Sequence, residues 1–520
     1  MVSSADSQVM SLLSAGQYQR VVEQFDGQVN DWHEVALLVE ALISLSEFER
    51  ANSLLMEWED KVETTLDKAL WHFNNGLYLC ETFDNVMSLM SVTRGLTLAK
   101  QVENNKLENQ LKVLKGRTLM RMGREDECID VVESLLPELQ KRDPRTYGLA
   151  LHVLAISYEY KGRLELAVEL NLRALTTFDE LGDKVDHCMT LNLLAWDYRK
   201  LGELTTSLDY STKSKAQAEM LGNSRIEALS LANIGVVYHI QGYLDKARTF
   251  LKSAINKATP LGNWFFLSLY KSHLAEVCRE LEEWEDALDL YKETLPHYSE
   301  MGDINNATLA MVQAIRVLAK LGGEVDRKNA VVRQFYSQPK NNIVVAGMRF
   351  VVDALLAEDQ NKEDLWQQAF DYPNQHHLLQ DMAFQNLAEH WIGQWVETSD
   401  KTVLSHLLTL LEEWVSKSND KNIVDKYVES LLMATALKYL LGKSINLKQE
   451  FRAITNLCER KGLPKHLAIT QRSEEELASQ DQAFQSSNDE EKNKQISSYL
   501  NHFRDIFLSN KGFRREPKIE

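Results

Sequence analysis

The sequence predicts an all-α protein, an α-solenoid of stacked antiparallel helix pairs, and two observations carry this prediction. The first is composition, since only 8 prolines and 22 glycines occur among 520 residues and few positions therefore interrupt helices. The second is a repeat, because glycines recur every 40 residues in the middle of the chain. A repeat of this length is one supersecondary unit that buries its apolar face against its neighbours, so we expect the units to stack.

Four series of residues recur at 40-residue intervals and define each unit. They are Gly182, Gly222, Gly262 and Gly302; Gly162, Gly202, Gly242 and Gly322, with Glu282 in the empty slot; Tyr158, Tyr198, Tyr238, Cys278 and Leu318; and Ala167, Ser207, Ala247 and Ala287. Between the glycines, apolar residues recur at three- and four-residue steps. We therefore predict two amphipathic helices per unit, each ended by a glycine in the left-handed conformation.

Short polar residues and small residues complete the unit. The residues after the first glycine series are short acceptors that can cap the next helix, namely Asp183, Asn223, Asn263 and Asp303. A further series of small residues falls in the first helix of each pair, at Ala155, Ala195, Gly235 and Ala275. Small side chains at these positions allow the paired helices to approach closely.

These positions resemble the signature of the tetratricopeptide repeat, which places a large apolar residue, a small one, a tyrosine-like one, a glycine and an alanine in that order. The unit that begins at Gly148 supplies them as Leu151, Ala155, Tyr158, Gly162 and Ala167. The 40-residue period is longer than the family's usual period of about 34 residues. It is similar to that of Partner of Inscuteable-type scaffolds and of some bacterial peptide-sensing regulators. The resemblance implies a right-handed α-solenoid.

The strength of the repeat divides the chain into four predicted segments. They are 1–147, degenerate helix pairs of the same type; 148–325, the regular 40-residue units; 326–465, divergent helical hairpins, with pairs over 343–370, 377–415 and 423–461; and 466–520, an acidic mobile linker followed by an amphipathic helix. The apolar face of that helix consists of Ile496, Tyr499, Leu500, Phe503 and Phe507. We expect it to dock on the solenoid, or to act as a detachable or self-inhibitory segment.

Charge, hydropathy and cysteine usage indicate which partners and which compartment to expect. The net charge of −18, with no compensating basic run, argues against direct binding of nucleic acid. No uninterrupted apolar stretch of about 18 residues occurs, and the N-terminus lacks the pattern of a signal peptide, so we expect no membrane insertion. Five cysteines that lie far apart, without a CxxC motif, suit a reducing compartment. We predict a cytoplasmic protein.

The sequence lacks recognisable catalytic, nucleotide-binding or metal-binding motifs. The run Gly442-Lys443-Ser444 ends like a phosphate-binding loop, but Leu437 stands where that loop needs its first glycine. His376, His377 and His390 do not have the spacing that places zinc ligands on one helix face. We therefore expect no enzymatic activity, no metal and no cofactor.

One face of the repeats is the candidate binding surface. In tetratricopeptide-like solenoids the first helix of each unit lines an inner groove with residues that do not face its paired helix. The binding residues we predict there are Ile156, Asn192, Trp196, Arg199, Lys200, Val236, His239, Arg279, Arg316 and Lys320. Trp196 falls between Ile156 and Val236 in successive units, and the arginines and lysines add local positive charge. This pattern favours a peptide with an apolar anchor and acidic flanks, whose backbone Asn192 could hold.

Several alternatives stay open at this point. Trp196 could instead pack beneath a neighbouring helix, as part of the core. The leading function is a non-enzymatic adaptor that binds a segment of another protein in the groove. A second is a regulatory sensor in which a short peptide changes the solenoid's conformation, and a third is an enzyme with an unrecognised site in residues 325–465. Homo-oligomerisation through the solenoid ends is a further option.

Overall fold

The computed structural model describes residues 9, 12–13, 17–25, 29, 31–301, 303–322, 329–339, 342–357, 361–373, 376–420, 423–443 and 445–508. Every regular element of these residues is helical, which confirms the predicted fold class. In chain order the α-helices are α1 (Tyr18–Gln24), α2 (Trp32–Ser44), α3 (Phe48–Trp58), α4 (Thr65–Glu81), α5 (Asn85–Gln101), α6 (Asn105–Arg121), α7 (Glu125–Glu133), α8 (Leu136–Arg142), α9 (Pro144–Tyr160), α10 (Leu164–Leu181), α11 (Lys184–Lys200), α12 (Leu204–Leu221), α13 (Ser224–Ile240), α14 (Leu244–Ala258), α15 (Trp264–Glu280), α16 (Trp284–Glu300), α17 (Ile304–Lys320), α18 (Ala330–Tyr336), α19 (Ile343–Leu356), α20 (Lys362–Asp371), α21 (His377–Thr398), α22 (Lys401–Asp420), α23 (Val424–Leu440), α24 (Leu447–Lys461), α25 (Pro464–Ser486) and α26 (Asp489–Phe503).

The repeat glycines end helices as predicted. The glycines with φ between 65° and 80° include Gly162, Gly182, Gly202, Gly222, Gly242, Gly262 and Gly322. Glu282, which occupies the empty slot of the series, adopts the same left-handed conformation with φ of 62°. The backbone geometry of the turn is therefore kept even where the sequence departs from glycine. Gly302 lies outside the described residues.

The polar residues after these glycines cap the helices that follow. The side-chain Oδ1 atoms of Asp183, Asn223, Asn263 and Asp303 accept hydrogen bonds from the backbone N–H three residues later, at 3.1, 3.0, 3.3 and 3.0 Å. Each bond satisfies a donor that the first helical turn leaves without a partner. Each glycine–Asx pair thus ends one helix and caps the next through local interactions alone.

The small residues lie between closely packed helices. Ala155, Ala195, Ala275, Ala167, Ala247 and Ala287 are fully buried, as is Ser207. The Ser207 hydroxyl donates to the Ala195 carbonyl oxygen at 2.7 Å, so this small residue also bridges the pair. At Gly235 a Cβ atom would lie 2.8 Å from the Leu251 side chain, which leaves no room for a larger residue.

The chain divides into two compact units. Unit 1 comprises Met1–Leu201, Thr206–Asn233 and Ser253–Leu267, and unit 2 comprises Gly202–Thr205, Ile234–Lys252 and Ser268–Glu520. The boundaries between the two units fall inside the regular repeats.

In unit 1 the N-terminal helices pack against much later helices. Trp32 and Leu42 of α2 share one buried hydrophobic cluster with Val185 and Cys188 of α11 and with Ile226 of α13. The degenerate N-terminal helices therefore contribute to the same core as the regular repeats.

A half-buried arginine reinforces this packing. The Arg145 guanidinium, on α9, lies 3.0 Å from a Glu40 carboxylate oxygen and 3.2 Å from one of Asp183. It also donates to the Tyr18 hydroxyl oxygen at 2.8 Å. One side chain thus joins α1 and α2 to the start of α11.

In unit 2 the residues of the predicted hairpins form the helices α19 and α20, α21 and α22, and α23 and α24. Trp395 and Trp414 are almost completely buried in this part of the chain. The Trp414 ring stacks on that of Phe384, with 5.6 Å between centroids. Large aromatic side chains thus fill this core without the glycine pattern of the regular units.

The C-terminal amphipathic helix is docked. Its residues Ile496, Tyr499, Leu500 and Phe503 are buried. The indole N–H of Trp395 in α21 donates to the Ser497 hydroxyl at 3.1 Å. The side chain of Phe507, the fifth residue of the predicted face, lies outside the described part of the chain.

The N-terminal part of the predicted mobile linker is helical. Residues 464–486 form one helix, α25, although the segment is polar and acidic. His466, Thr470, Ser473 and Leu477 are buried at three- and four-residue intervals along it. Packing of this narrow face stabilises a helix that composition alone does not favour.

No helix of the described residues is both long enough and apolar enough to cross a lipid bilayer.

The five cysteines are all free and buried.

Candidate functional site

The predicted binding residues fall into two sets, one in each unit. The unit 1 set consists of Ile156, Asn192, Trp196, Arg199 and Lys200, and the unit 2 set of Val236, His239, Arg279, Arg316 and Lys320.

In unit 1 four side chains meet at the C-terminal ends of α9 and α11. The Trp196 indole N–H donates to a Glu159 carboxylate oxygen at 2.9 Å, and Lys200 lies 2.8 Å from the same oxygen. The Arg199 guanidinium carbon lies 4.3 Å from the centroid of the Trp196 ring. We call Glu159, Trp196, Arg199 and Lys200 the Trp196 cluster. Helical periodicity predicts three of its members as site residues. Glu159 lies on the same helix face, and only the structure shows that it belongs to the cluster.

Arg199 is the unusual member of this cluster. Its Nε atom is buried and has no hydrogen-bond partner among the described residues. Among the described residues, no carboxylate lies within 4.0 Å of its guanidinium, so none of them forms a direct ion pair with it. Burial lowers the pKa of Arg199 to about 10, and the nearby charge of Glu159 offsets that only in part. A guanidinium in this state can gain energy from a carboxylate supplied by a ligand.

The remaining unit 1 residues differ in their exposure. Trp196 and Ile156 are half-buried, so Trp196 is neither a core residue nor fully exposed. Asn192 is buried, and its side-chain amide donates to the Ser230 hydroxyl at 3.2 Å. Its predicted role of holding a peptide backbone has to compete with this internal bond.

Asp197 lies beside the cluster and provides a pH-dependent prediction. It is buried, it accepts a hydrogen bond from the Asn171 amide at 2.7 Å, and burial together with Glu159 raises its pKa to about 7. Protonated Asp197 is therefore favoured more in the folded state than in the unfolded chain. Its contribution to the free energy of unfolding is complete below about pH 4 and is lost as the pH rises towards 7. Asp197→Asn should therefore gain about 1–2 kcal/mol relative to wild type between pH 5 and pH 8. Thermal unfolding of both proteins at the two pH values measures this gain, and an equal difference at both would contradict it.

In unit 2 the predicted basic residues already have partners in the chain. Arg279 lies 3.0 Å from Glu276 and 3.4 Å from Glu280. His239 lies 3.2 Å from Glu280. Glu276 and Glu280 neutralise the local positive charge that the sequence predicted here. A spacing of three residues along one helix, as between Glu276 and Arg279, is the signal that could have identified this pairing.

The pKa values in unit 2 follow from these pairs. Burial opposes ionisation of Glu280, but the charges of His239 and Arg279 outweigh it and lower the Glu280 pKa to about 2. Burial likewise opposes protonation of His239, yet Glu280 raises its pKa above the ordinary value. His239 therefore favours the charged form that pairs with Glu280.

The remaining unit 2 residues differ from one another. Val236 is buried and Lys320 is exposed. Arg316 is half-buried, and one of its N–H groups donates to the Gln385 side-chain oxygen at 3.2 Å. Burial, followed by repulsion from Arg279, lowers the pKa of Arg316 to about 10. Only the unit 1 set thus holds an aromatic ring with an unpaired arginine stacked on it.

Part of the regular repeats matches a known family. Residues 224–300 match the family model described as the tetratricopeptide repeat, which confirms the resemblance predicted from the sequence.

Several solved structures resemble this chain at low sequence identity. The crystal structure of a Rap protein complexed with competence and sporulation factor has 12% identity and a TM-score of 0.45, with 76% of this chain and 99% of that chain covered. The apo form of the quorum sensor NprR from B. thuringiensis has 18% identity and a TM-score of 0.44, with 63% of this chain and 96% of that chain covered. The human IFIT1 dimer with PPP-AAAA has 15% identity and a TM-score of 0.40, with 81% of this chain and 94% of that chain covered. A search of curated protein sequences gave no significant match.

Proposed function

We propose that this protein is a non-enzymatic adaptor that holds a segment of a partner protein at the Trp196 cluster of unit 1. The ligand class is an extended or helical peptide that carries an acidic side chain next to an apolar one. The observation that carries the proposal is the Arg199 guanidinium, which stacks on Trp196 and has no carboxylate partner among the described residues.

The chemistry of the cluster supports this ligand class. A ligand carboxylate can accept hydrogen bonds from Arg199, while the half-buried Trp196 ring provides an apolar surface beside it. Glu159 holds the indole N–H and Lys200, so both groups are oriented before the ligand arrives. With two cations and one carboxylate, the cluster has a formal charge of +1, which favours an acidic segment over a basic one.

Substitution of Arg199 tests the proposal. Partners would be captured from a lysate of the source cells, the bound segment mapped, and its affinity for the full chain measured by calorimetry. Arg199→Glu should weaken that affinity by about 10- to 100-fold, because a repulsive charge replaces an anchor. Arg142→Glu is the matched control, since it makes the same change of charge at a side chain that is 76% exposed.

Arg199→Met separates binding from folding. Because an unpaired, desolvated guanidinium destabilises the folded state, this variant should be as stable as wild type or up to about 1 kcal/mol more stable, while it binds the segment less tightly. If both Arg199 variants bind the mapped segment with wild-type affinity, the Trp196 cluster is not its site.

A further inference from the structure

Helix α5 in unit 1 exposes apolar side chains along one side. Val86, Met87 and Met90 lie on this side of its first two turns and are 62%, 48% and 47% exposed. Thr93 and Thr97 continue the same side of the helix and are also exposed. We call these five residues the α5 face. A contiguous apolar surface of this kind often marks a site of protein–protein contact.

The threonines of the α5 face add little polarity to it. The Thr93 hydroxyl donates to the Leu89 carbonyl oxygen at 2.7 Å, and the Thr97 hydroxyl donates to the Thr93 carbonyl oxygen at 3.1 Å. Because both hydroxyl protons are used within the helix, the methyl groups of the two threonines remain for apolar contacts. Helix α5 also contains no acidic residue, although the chain has 76 of them.

The opposite side of α5 is packed tightly within unit 1. The Ser88 hydroxyl donates to the Gly76 carbonyl oxygen of α4 at 2.8 Å. A Cβ atom at Gly95 would lie 3.0 Å from the Leu111 side chain of α6. Both neighbouring helices thus hold α5 in place, and its exposed face can bind a partner with little loss of conformational freedom.

Two charged side chains of opposite sign border the α5 face. Asp84 caps the helix, since its Oδ1 atom accepts a hydrogen bond from the Met87 backbone N–H at 3.1 Å. Arg94 lies near the other end of the face, roughly 15 Å away along the helix axis. Both side chains are exposed, and among the described residues neither has an ion-pair partner. Each is therefore available to a charge on another molecule.

We propose that the α5 face joins two copies of this chain, with their α5 helices antiparallel about a two-fold axis near Leu89. Leu89 is midway in sequence between Asp84 and Arg94, so this axis places Asp84 of each copy opposite Arg94 of the other. Met90 then lies close to its equivalent at the centre of the contact. The antiparallel arrangement also brings the positive end of each helix dipole to the negative end of the other. The α5 face is thus complementary to itself, which favours a second copy over an unrelated partner.

The dimer should be weak and reversible. One helix from each copy forms a small interface, of the size found in transient complexes, which is below about 1,200 Å². We expect a dissociation constant on the order of 10 µM. Sedimentation of the full chain between about 1 and about 200 µM should therefore show a mass that rises from 59.7 kDa towards twice that value.

Two pairs of variants make the assignment specific. Met90→Glu places a charge at the centre of the contact and should raise the dissociation constant more than about 100-fold. Met220→Glu is its matched control, because Met220 of α12 is also exposed, at 81%. Arg94→Glu repels Asp84 of the other copy and should raise the dissociation constant about 10-fold. Arg142→Glu makes the same change of charge at a side chain that is 76% exposed and should leave the dimer unchanged.

Crosslinking locates the contact independently of these charges. The native cysteines are all buried, which favours reaction of a short bismaleimide with an introduced surface cysteine. Met90→Cys should give covalent dimers at protein concentrations at which Met220→Cys does not. A wild-type mass of 59.7 kDa at every concentration would overturn the proposal. Association that persists in Met90→Glu, or equal crosslinking of the two cysteine variants, would overturn it as well.

Discussion

Replacement of Glu81 by alanine is expected to destabilise unit 1 by about 3–5 kcal/mol, because it leaves three half-buried arginines without their counter-charge. The Glu81 side chain, on α4, is only 4% exposed and pairs with Arg117 and Arg121 of α6. It also lies 3.0 Å from Arg225 of α13. One carboxylate therefore compensates three guanidinium groups and joins α4 to a helix far along the chain.

The stabilisation of the fold by Glu81 decreases at low pH. Burial opposes ionisation of Glu81, but the three arginines outweigh it and lower its pKa well below the ordinary value. Its contribution is therefore complete above about pH 4.3, the ordinary pKa of glutamate, and is lost as the pH falls towards the folded-state pKa.

Hydrogen exchange of α4 and α13 in the full chain is the appropriate measurement, since local opening free energies do not require two-state unfolding of a 520-residue protein. Glu81→Gln should cost less than Glu81→Ala, because the amide oxygen can still accept hydrogen bonds from the guanidinium groups. Glu57→Ala is the matched control: its surface pair with Lys61 should contribute no more than about 1 kcal/mol. A Glu81→Ala effect as small as that of the control would show that the buried cluster does not hold α4 in place.

The sequence predicts those features of the fold that depend on local backbone geometry. Gly182 and Asp183 lie next to each other, and each acts on the adjacent helix end, so their roles can be read without knowledge of distant residues. Glu81 is different, because its partner Arg225 is 144 residues away and no periodicity links the two positions. Such a pairing depends on how the N-terminal helices pack back onto the repeats of unit 1.

The same distinction applies to the candidate site. Helical periodicity identifies the face that carries Trp196 and Arg199, but it does not show which arginine already has a partner. The Glu276–Arg279 pair could have been recognised from its spacing, whereas Gln385 meets Arg316 only through the packing of α21. The polar and acidic composition of α25 does not predict a packed helix, because small and polar residues such as Thr470 form most of its buried face.

Replacement of Phe178 by alanine is the second large effect, with an expected loss of about 3–5 kcal/mol from the cavity it leaves between α9 and α10. The Phe178 side chain is fully buried, and its ring centroid lies 5.2 Å from that of His152. The ring also occupies the space above Gly148, where a Cβ atom would lie 2.5 Å from it. Hydrogen exchange of α9 and α10 measures the loss, and an effect below about 1 kcal/mol would contradict this account.

A second substitution shows whether Gly148 is required by this ring. Gly148→Ala alone should destabilise α9 by about 1–3 kcal/mol, because the new methyl group overlaps a ring that has no space to move into. In the Phe178→Ala background the ring is absent, so the same change should cost much less. The coupling energy between the two positions should therefore be about 1–3 kcal/mol. If Gly148→Ala costs the same in both backgrounds, its effect arises from the helix backbone and the close packing of α9 on α10 does not depend on this glycine.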